Sequence, residues 1–242
     1  MNSASDYLNT VKAPWGKMFY DLLFEQLNLP PTPRLKILDF GSGLGVTANY
    51  YAQWHHVTAI DPNQDMINHG YKENAYTQIH GDVTQLDNFA DETFDIVFCH
   101  NVLEYVETKE PIFEALLRVL KNSGTLSIVK HNRLGKILHN AVFTDDPKKA
   151  LSFFEVGLNQ KNNFLGTQYL YSNEDLVEYV AKHGGYLTKV FGMRAFWALG
   201  QDNSVKFTDE WYENMLELER RAADIEEYKQ VAYLNHLLIQ KR

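Results

Sequence analysis

Residues 36–47, Lys-Ile-Leu-Asp-Phe-Gly-Ser-Gly-Leu-Gly-Val-Thr, constrain the fold more than any other stretch of the chain. Lys36 to Phe40 read as a short buried strand. Gly41, Ser42, Gly43, Leu44 and Gly45 read as a glycine-rich turn, and Val46 to Gln53 as the start of a helix. That succession builds a nucleotide crevice beyond the carboxyl end of a strand. Glycine lets the backbone bend sharply and approach a ligand with no Cβ in between. The spacing is Gly-x-Gly-x-Gly, with Val46 where the dinucleotide fingerprint wants its last glycine. Asp39 stands two residues before the first glycine, where a carboxylate would repel a diphosphate. Both details disfavour a nicotinamide dinucleotide.

Acids recur after the next two strands. Val57 to Ile60 is the second strand, and Asp61 follows, sixteen residues after Gly45 (61 − 45). At about that distance βαβ proteins place an acid on the ribose hydroxyls; a helix cap is the other reading of Asp61. Pro62, Asn63, Gln64 and Asp65 then open a helix that carries Met66, a side chain placed to lie on an adenine ring. Tyr76, Gln78 and Ile79 form a third strand, followed by Gly81, Asp82 and Val83, where Asp82 has the same two readings. Phe94 to Cys99 is apolar almost throughout, as expected of a strand buried on both faces. His100 and Asn101 sit just past it. Pro111 to Leu120 is a helix, residues 121–124 turn, and Thr125 to Val129 is a fifth strand. Alternating strands and helices require a parallel sheet with right-handed crossovers.

This half of the chain resembles the class I S-adenosylmethionine (SAM) methyltransferases, with the glycine turn as their motif I. A cationic sulfonium bearing an amino group suits Asp39 as a diphosphate does not. The resemblance implies a Rossmann-like three-layer α/β/α fold with a seven-stranded, mostly parallel sheet, an antiparallel C-terminal strand and a cap inserted after strand 5. It implies a cofactor site at Asp39, Gly41, Ser42, Gly43, Gly45, Asp61, Pro62, Met66, Asp82, Val83, His100 and Asn101, with Asp82 on the adenine amino group.

Outside that half, residues 5–29 carry Phe19, Leu22, Leu23 and Leu27 at helical spacing, and Pro30, Pro31 and Pro33 end the helix. Tyr7, Trp15, Gly16 and Lys17 are read as preceding it, in a segment that folds over the cofactor or packs on the surface. Residues 130–172 are the most basic part of the chain and hold Phe143, Phe153, Phe154, Phe164, Tyr169 and Tyr171. Ser172 or Asn173 caps a helix to His183, and Gly184-Gly185 ends it. Tyr186 to Leu199 is strand-like, Asp209 to Glu227 an acidic helix, and Tyr228 to Ile239 a closing strand. The expected organisation is one domain over 1–242, with a helical lid at 1–34 and acceptor-side insertions at 130–172 and 200–227.

The segments His100–Val106, Asn132–Asn140, Gly192–Phe196 and Glu217-Leu218-Glu219 together resemble the bacterial tRNA 5-carboxymethoxyuridine methyltransferases. That resemblance implies methylation of a carboxylate on a modified wobble uridine. A carboxylate is ionised near pH 7 and needs no general base. It needs donors that hold it: His131, Arg133 and Arg194, with Tyr105 and Tyr169 as walls. A hydroxyl or amine acceptor would want a base, and His100 or His131 would serve. The plainer readings stay open: solvated loop residues for His131 and Arg133, an ion pair with the acidic helix for Arg194. So do a small-metabolite acceptor, such as a carboxylic acid or quinone precursor, and a SAM-binding protein without catalysis.

Bulk properties set the outer limits. The chain has 242 residues and a formal net charge of −8, which argues against broad phosphate binding but not against a local basic patch. A single cysteine, Cys99, fits a reducing cytosol and reads as a buried filler. No signal peptide or bilayer-length apolar run is read, and His55-His56 lack ligand spacing for a metal. The expected partner is a small-molecule or tRNA acceptor in the cytoplasm, with no DNA and no membrane.

Overall fold

The computed structural model describes residues 4–155, 159–162 and 166–242; Phe164 lies outside the described residues. Seven strands form one sheet: β1 (Lys36–Phe40), β2 (His56–Asp61), β3 (Thr77–His80), β4 (Phe94–His100), β5 (Leu120–His131), β8 (Gly185–Met193) and β9 (Leu234–Lys241). Their order is β3-β2-β1-β4-β5-β9-β8. β9 runs antiparallel to both of its neighbours and the other pairs are parallel. A separate hairpin joins β6 (Asn159–Asn162) to β7 (Gly166–Tyr169). The strand order reverses at β1 and β4, and in such sheets that is where a ligand crevice opens.

Ten α-helices are described: α1 (Ala4–Lys12), α2 (Pro14–Leu27), α3 (Val46–Tyr51), α4 (Gln64–His69), α5 (Glu110–Val119), α6 (Arg133–Leu138), α7 (Pro147–Ser152), α8 (Asn173–Lys182), α9 (Asp209–Ala222) and α10 (Glu226–Val231). On one side of the sheet α5 and α8 bury Ile112, Phe113, Leu116, Leu117, Leu176 and Val180 against Leu38, Val97, Cys99 and Ile128. Each such aliphatic or aromatic burial contributes about 1.5–3 kcal/mol. On the other side Met18, Leu22 and Leu23 of α2, with Tyr212 and Leu216 of α9, cover Ile37, Phe98 and Val129. Cys99, on the α5 and α8 side, is buried as a small apolar filler, and burial pushes its thiol pKa well up.

Several boundaries differ from the sequence reading. Residues 121–124, expected to turn, belong to β5, which starts at Leu120 and runs to His131. The N-terminal helix is two helices, and Trp15, Gly16 and Lys17 lie inside the second. Ala13 is extended and Pro14 opens α2; a proline has no N–H to continue α1. The strand expected from Tyr186 stops at Met193, because Arg194 takes a positive φ of 60° and turns the chain. The closing strand begins at Leu234 rather than Tyr228. Residues 226–231 wind into α10 instead, where Lys229 pairs with Glu226 one turn back at 2.9 Å.

Candidate active site

β1 delivers the chain into the glycine turn with φ of 75° at Gly41, 54° at Gly43 and 67° at Gly45. A Cβ on Gly41 would meet Val102 Cγ2 at 2.3 Å, whereas one on Gly43 would meet nothing within 4 Å. Gly41 therefore lets the turn approach the segment after β4, and Gly43 opens onto free space. The Gly41 and Ser42 N–H groups donate to Ile60 O at 2.8 and 3.1 Å, tying the turn to β2.

Asp61 ends β2 with both oxygens engaged: Oδ2 accepts from Gly43 N at 2.7 Å and Oδ1 from Asn63 N at 2.8 Å. It does not cap α4; Asn63 does, accepting from Asp65 N and Met66 N. Burial raises the Asp61 pKa, and those two N–H groups work against it. Asp39 lies on the same face of the sheet, 3 % exposed. Burial lifts its carboxyl to about 7 despite a backbone N–H from Ala48, and Asp61 adds to the rise. Asp82 is exposed and caps the turn after β3, accepting from Thr84 N and Thr84 Oγ1. Those bonds hold its pKa below the ordinary value. Val83 packs against the core beside it.

α1 closes over this end of the sheet. Ala4 N donates to Asp65 Oδ2 at 3.1 Å, and Ala4 and Val11 pack with Leu44 and Met66. Met66 is thus buried beneath α1, and Tyr7, whose pKa is raised by its burial and by Asp61, sits in the same cluster.

At the end of β4, His100 Nε2 meets Ser127 Oγ at 2.8 Å, and Ser127 Oγ meets His236 Nε2 at 2.8 Å. Asn101 follows with a φ of 55° and its Oδ1 buried without a hydrogen-bond partner among the described residues.

A second group gathers around Tyr233, just before β9. The Arg194 guanidinium lies 5.3 Å from the centre of its ring. His131 approaches it edge-on at 5.4 Å and His139 at 4.8 Å. His131 Nδ1 bonds Glu104 Oε1 at 2.6 Å. Burial is the largest single influence and opposes the Glu104 charge, but the His131 bond and charge together with backbone N–H groups leave its pKa below the ordinary value. Burial also lowers the His131 pKa, more than Glu104 restores. At pH 7 Glu104 is therefore the charged partner. It accepts the Nδ1 proton, and His131 Nε2 carries a lone pair. Lys136, its pKa lowered by burial to about 8, donates to Gln168 Oε1 at 2.6 Å, and Gln168 Nε2 donates to Tyr105 OH at 2.8 Å.

Arg194 is not the surface partner of the acidic helix. Glu219 of α9 spends its carboxylate on the backbone, accepting from Ala195 N, Phe196 N and Trp197 N at 2.8, 2.9 and 2.7 Å. Arg194 Nε is buried with no hydrogen-bond partner among the described residues.

The structure thus brings together Tyr105, His131 and Arg194, and separately Asp39, Asp61 and the glycine turn. Arg133 stands exposed as the first residue of α6, because Asn132 caps that helix. Tyr169 faces Lys109, whose Nζ lies 5.6 Å from its ring. Sequence reasoning missed Tyr233, Glu104, Lys136, Gln168 and Glu219 as parts of this group. Glu104 was in view, next to the named Tyr105, but its partner lies 27 positions away.

A family model described as a methyltransferase domain matches residues 38–128, which run from β1 through the glycine turn into β5. That segment, with its glycine turn and strand order, is a methyltransferase domain of the class I SAM-dependent kind. Its cofactor is SAM, and the residues fit that group: the opening at Gly43 leaves room, and Asp39 and Asp61 suit a cation. The tRNA 5-carboxymethoxyuridine methyltransferase of Escherichia coli K12 is 25% identical over 218 residues, covering 86% of this chain and 80% of that protein. A ubiquinone biosynthesis O-methyltransferase of Rickettsia conorii is 34% identical over 43% of this chain and 37% of that one. A SAM-dependent methyltransferase of Mesorhizobium loti shares the fold, with a TM-score of 0.60, 16% identity, and coverage of 89% and 95%. The methyltransferase sheet holds no cluster of three metal-binding side chains among the described residues. None of its described helices is long and apolar enough to cross a membrane.

Proposed function

We propose that the enzyme transfers the SAM methyl group to a carboxylate, that of a tRNA wobble-uridine modification. The observation that carries this reading is the Arg194 guanidinium, set over Tyr233 with no carboxylate in an ion pair with it among the described residues, beside His131, His139 and Lys136. A buried guanidinium without a carboxylate of its own is stabilised by an anion that enters beside it. The E. coli relative, similar over most of both chains, supports the same acceptor.

SAM supplies an activated methyl group on a sulfonium; the protein's work is alignment in a dry site. Asp61 takes the ribose hydroxyls on the lone pairs that Gly43 and Asn63 leave free. Asp82, Val83 and Met66 bound the adenine, and Pro62 stiffens that corner. Gly41, Ser42, Gly43 and Gly45 bring the backbone close, with His100 and Asn101 below. Arg194 holds the acceptor carboxylate, His131 lines the pocket with its Nδ1 proton kept on Glu104, and Tyr105 walls it, with Tyr169 on its flank. Residues 130–172 and 200–227 form the acceptor-side cap, the segment 1–34 the lid over the cofactor. Arg133, Lys148 and Lys149, exposed on α6 and α7, offer contacts to RNA phosphates.

The Glu104–His131 pair favours a second reading. A histidine with its Nδ1 proton held by a carboxylate presents a basic Nε2, as an acceptor hydroxyl or thiol would require. Incubating the protein with methyl-labelled SAM and either tRNA carrying the carboxylate or a metabolite fraction separates the two. The carboxylate reading gives labelled tRNA whose label is lost in alkali, as a methyl ester's must be. Alkali-stable label in the metabolite fraction alone favours the second.

Two further outcomes follow. Asp61→Ala is expected to weaken SAM about tenfold, as when a hydrogen bond to a charged group is lost; unchanged affinity in calorimetry removes the ribose role. Asp39, near 7 in the folded chain against 3.8 ordinarily, holds a proton that the unfolded chain has lost between those values. Stability therefore falls as pH rises through that window. A cationic ligand beside Asp39 favours its ionised form. SAM binding at pH 6.5 should thus release part of a proton, and its heat should differ between buffers of unequal ionisation enthalpy. Identical heats would mean that Asp39 does not face the cofactor.

A further inference from the structure

A carboxylate acceptor gives up no proton in the transfer, which leaves the His131 lone pair without a role as a base. Glu104 nevertheless holds that lone pair in place. Its Oε1 takes the His131 Nδ1 proton at 2.6 Å and the His131 backbone N–H at 3.4 Å. The Glu104 side chain is 1 % exposed and that of His131 16 %. The ring is therefore fixed in one tautomer, with Nδ1 turned inward. Nε2 lies on the open side and has no hydrogen-bond partner among the described residues. Burial lowers the His131 pKa more than Glu104 raises it, so the ring is neutral at pH 7. Nε2 can then accept and cannot donate.

That lone pair restricts what enters. A carboxylate oxygen placed against Nε2 would set lone pair against lone pair. The acid end must face the cations instead. These are Arg194, over the ring of Tyr233, and Lys136, which gives one of its three N–H groups to Gln168 Oε1. Whatever meets Nε2 must carry N–H or O–H. Arg194 and His131 both border Tyr233, at 5.3 and 5.4 Å from its ring centre, so one flat molecule can meet both. His139 is built similarly, with Nδ1 on Ala198 O at 2.7 Å. A neutral carbonyl polarises an imidazole less than a carboxylate does, so His131 is the stronger acceptor of the two.

We infer that His131 Nε2 accepts a hydrogen bond from the acceptor base, from the imide N3–H of its uracil ring, and that Glu104 is the positioning residue that fixes the tautomer. The carboxylate side chain leaves the same ring, so the two contacts together set which way the base lies. This contact rests on the carboxylate reading and adds to it a preference among rings. A ring with N–H at that position is taken; one with a bare nitrogen or an N-methyl group is refused.

Anticodon stem-loop RNA carrying 5-carboxymethoxyuridine tests it, beside the same RNA methylated at N3 of that base. Initial rates with labelled SAM give kcat/KM for each. The unaltered protein is expected to prefer the N3–H acceptor about tenfold. His131→Phe should lose about tenfold on the N3–H acceptor and show no preference. His131→Gln keeps an accepting oxygen and should recover most of both. His139→Phe should keep the preference, and Arg194→Met should slow the two acceptors by the same factor. Nitrogen NMR should find the His131 proton on Nδ1 in the unaltered protein. In Glu104→Gln, whose amide can face Nδ1 with either end, both tautomers should appear and the preference should shrink. Equal rates on the two acceptors, a preference that survives in His131→Phe, or an imidazolium at pH 7 would each overturn the inference. Methylation of neither RNA, with S-adenosylhomocysteine still bound, is the failure of the carboxylate reading and removes this contact with it.

Discussion

Arg194→Met is expected to lower kcat/KM toward a carboxylate acceptor by two to three orders of magnitude while leaving S-adenosylhomocysteine affinity unchanged. The size follows from the role: one charged donor aimed at a reacting oxyanion is worth roughly a hundredfold to a thousandfold. The structure also shows why the side chain is held where it is. Arg194 adopts a φ of 60°, a region that costs a residue with a Cβ roughly 1–2 kcal/mol. Strain of this kind persists where the surroundings over-determine it. Here the constraint is Tyr233 under the guanidinium and Glu219 on the three backbone N–H groups that follow. Arg194→Lys should recover only part of the activity, since an ammonium lacks the planar fork that grips a carboxylate with two bonds. Steady-state kinetics on the tRNA acceptor with matched calorimetry checks both variants. Full activity in Arg194→Met would remove the anion-holding role and turn attention to the Glu104–His131 pair.

Glu219→Ala should lower the melting temperature by about 10 °C or more. Its carboxylate is 1 % exposed and accepts three backbone hydrogen bonds. Truncation leaves those N–H groups unpaired in a setting where Ala195 and Trp197 are buried. Each orphaned donor costs about 1–3 kcal/mol, and each kcal/mol moves the midpoint about 2–4 °C in a chain of this size. The same variant frees the Arg194 turn, so activity should fall further than stability alone explains. Glu219→Gln keeps one accepting oxygen and should lie between. Differential scanning calorimetry measures the shift, and a drop under about 3 °C would mean that water replaces the carboxylate.

The crevice was legible in the sequence because its parts are local. Strand, glycine turn and helix occupy residues 36–51 without interruption, and Asp61 follows one strand later. The cap on α8 was legible for the same reason: Ser172 and Asp175 bond each other three residues apart. The pocket around Tyr233 was not, because its members come from positions 104, 131, 194 and 233. The hydrogen bonds that run from Gln26 through His236 and Ser127 to His100 span 210 positions in their longest step, and no spacing rule reaches across that. Arg133 was named beside His131 as a donor from the inserted cap; Asn132 caps a helix that starts at Arg133 and leaves it exposed, which no local spacing foretold. Tyr228 misled because the acidic helical stretch continues, after a short turn, into α10.

The sheet order also dictates the order of assembly on the ribosome. β8 touches no strand but β9, so Arg194 at its end has no platform until the final strand has left the exit tunnel. The first five strands can pair beforehand and enclose the nucleotide crevice. Until residues 234–241 arrive, the flank of β5 is bare and open to mispairing.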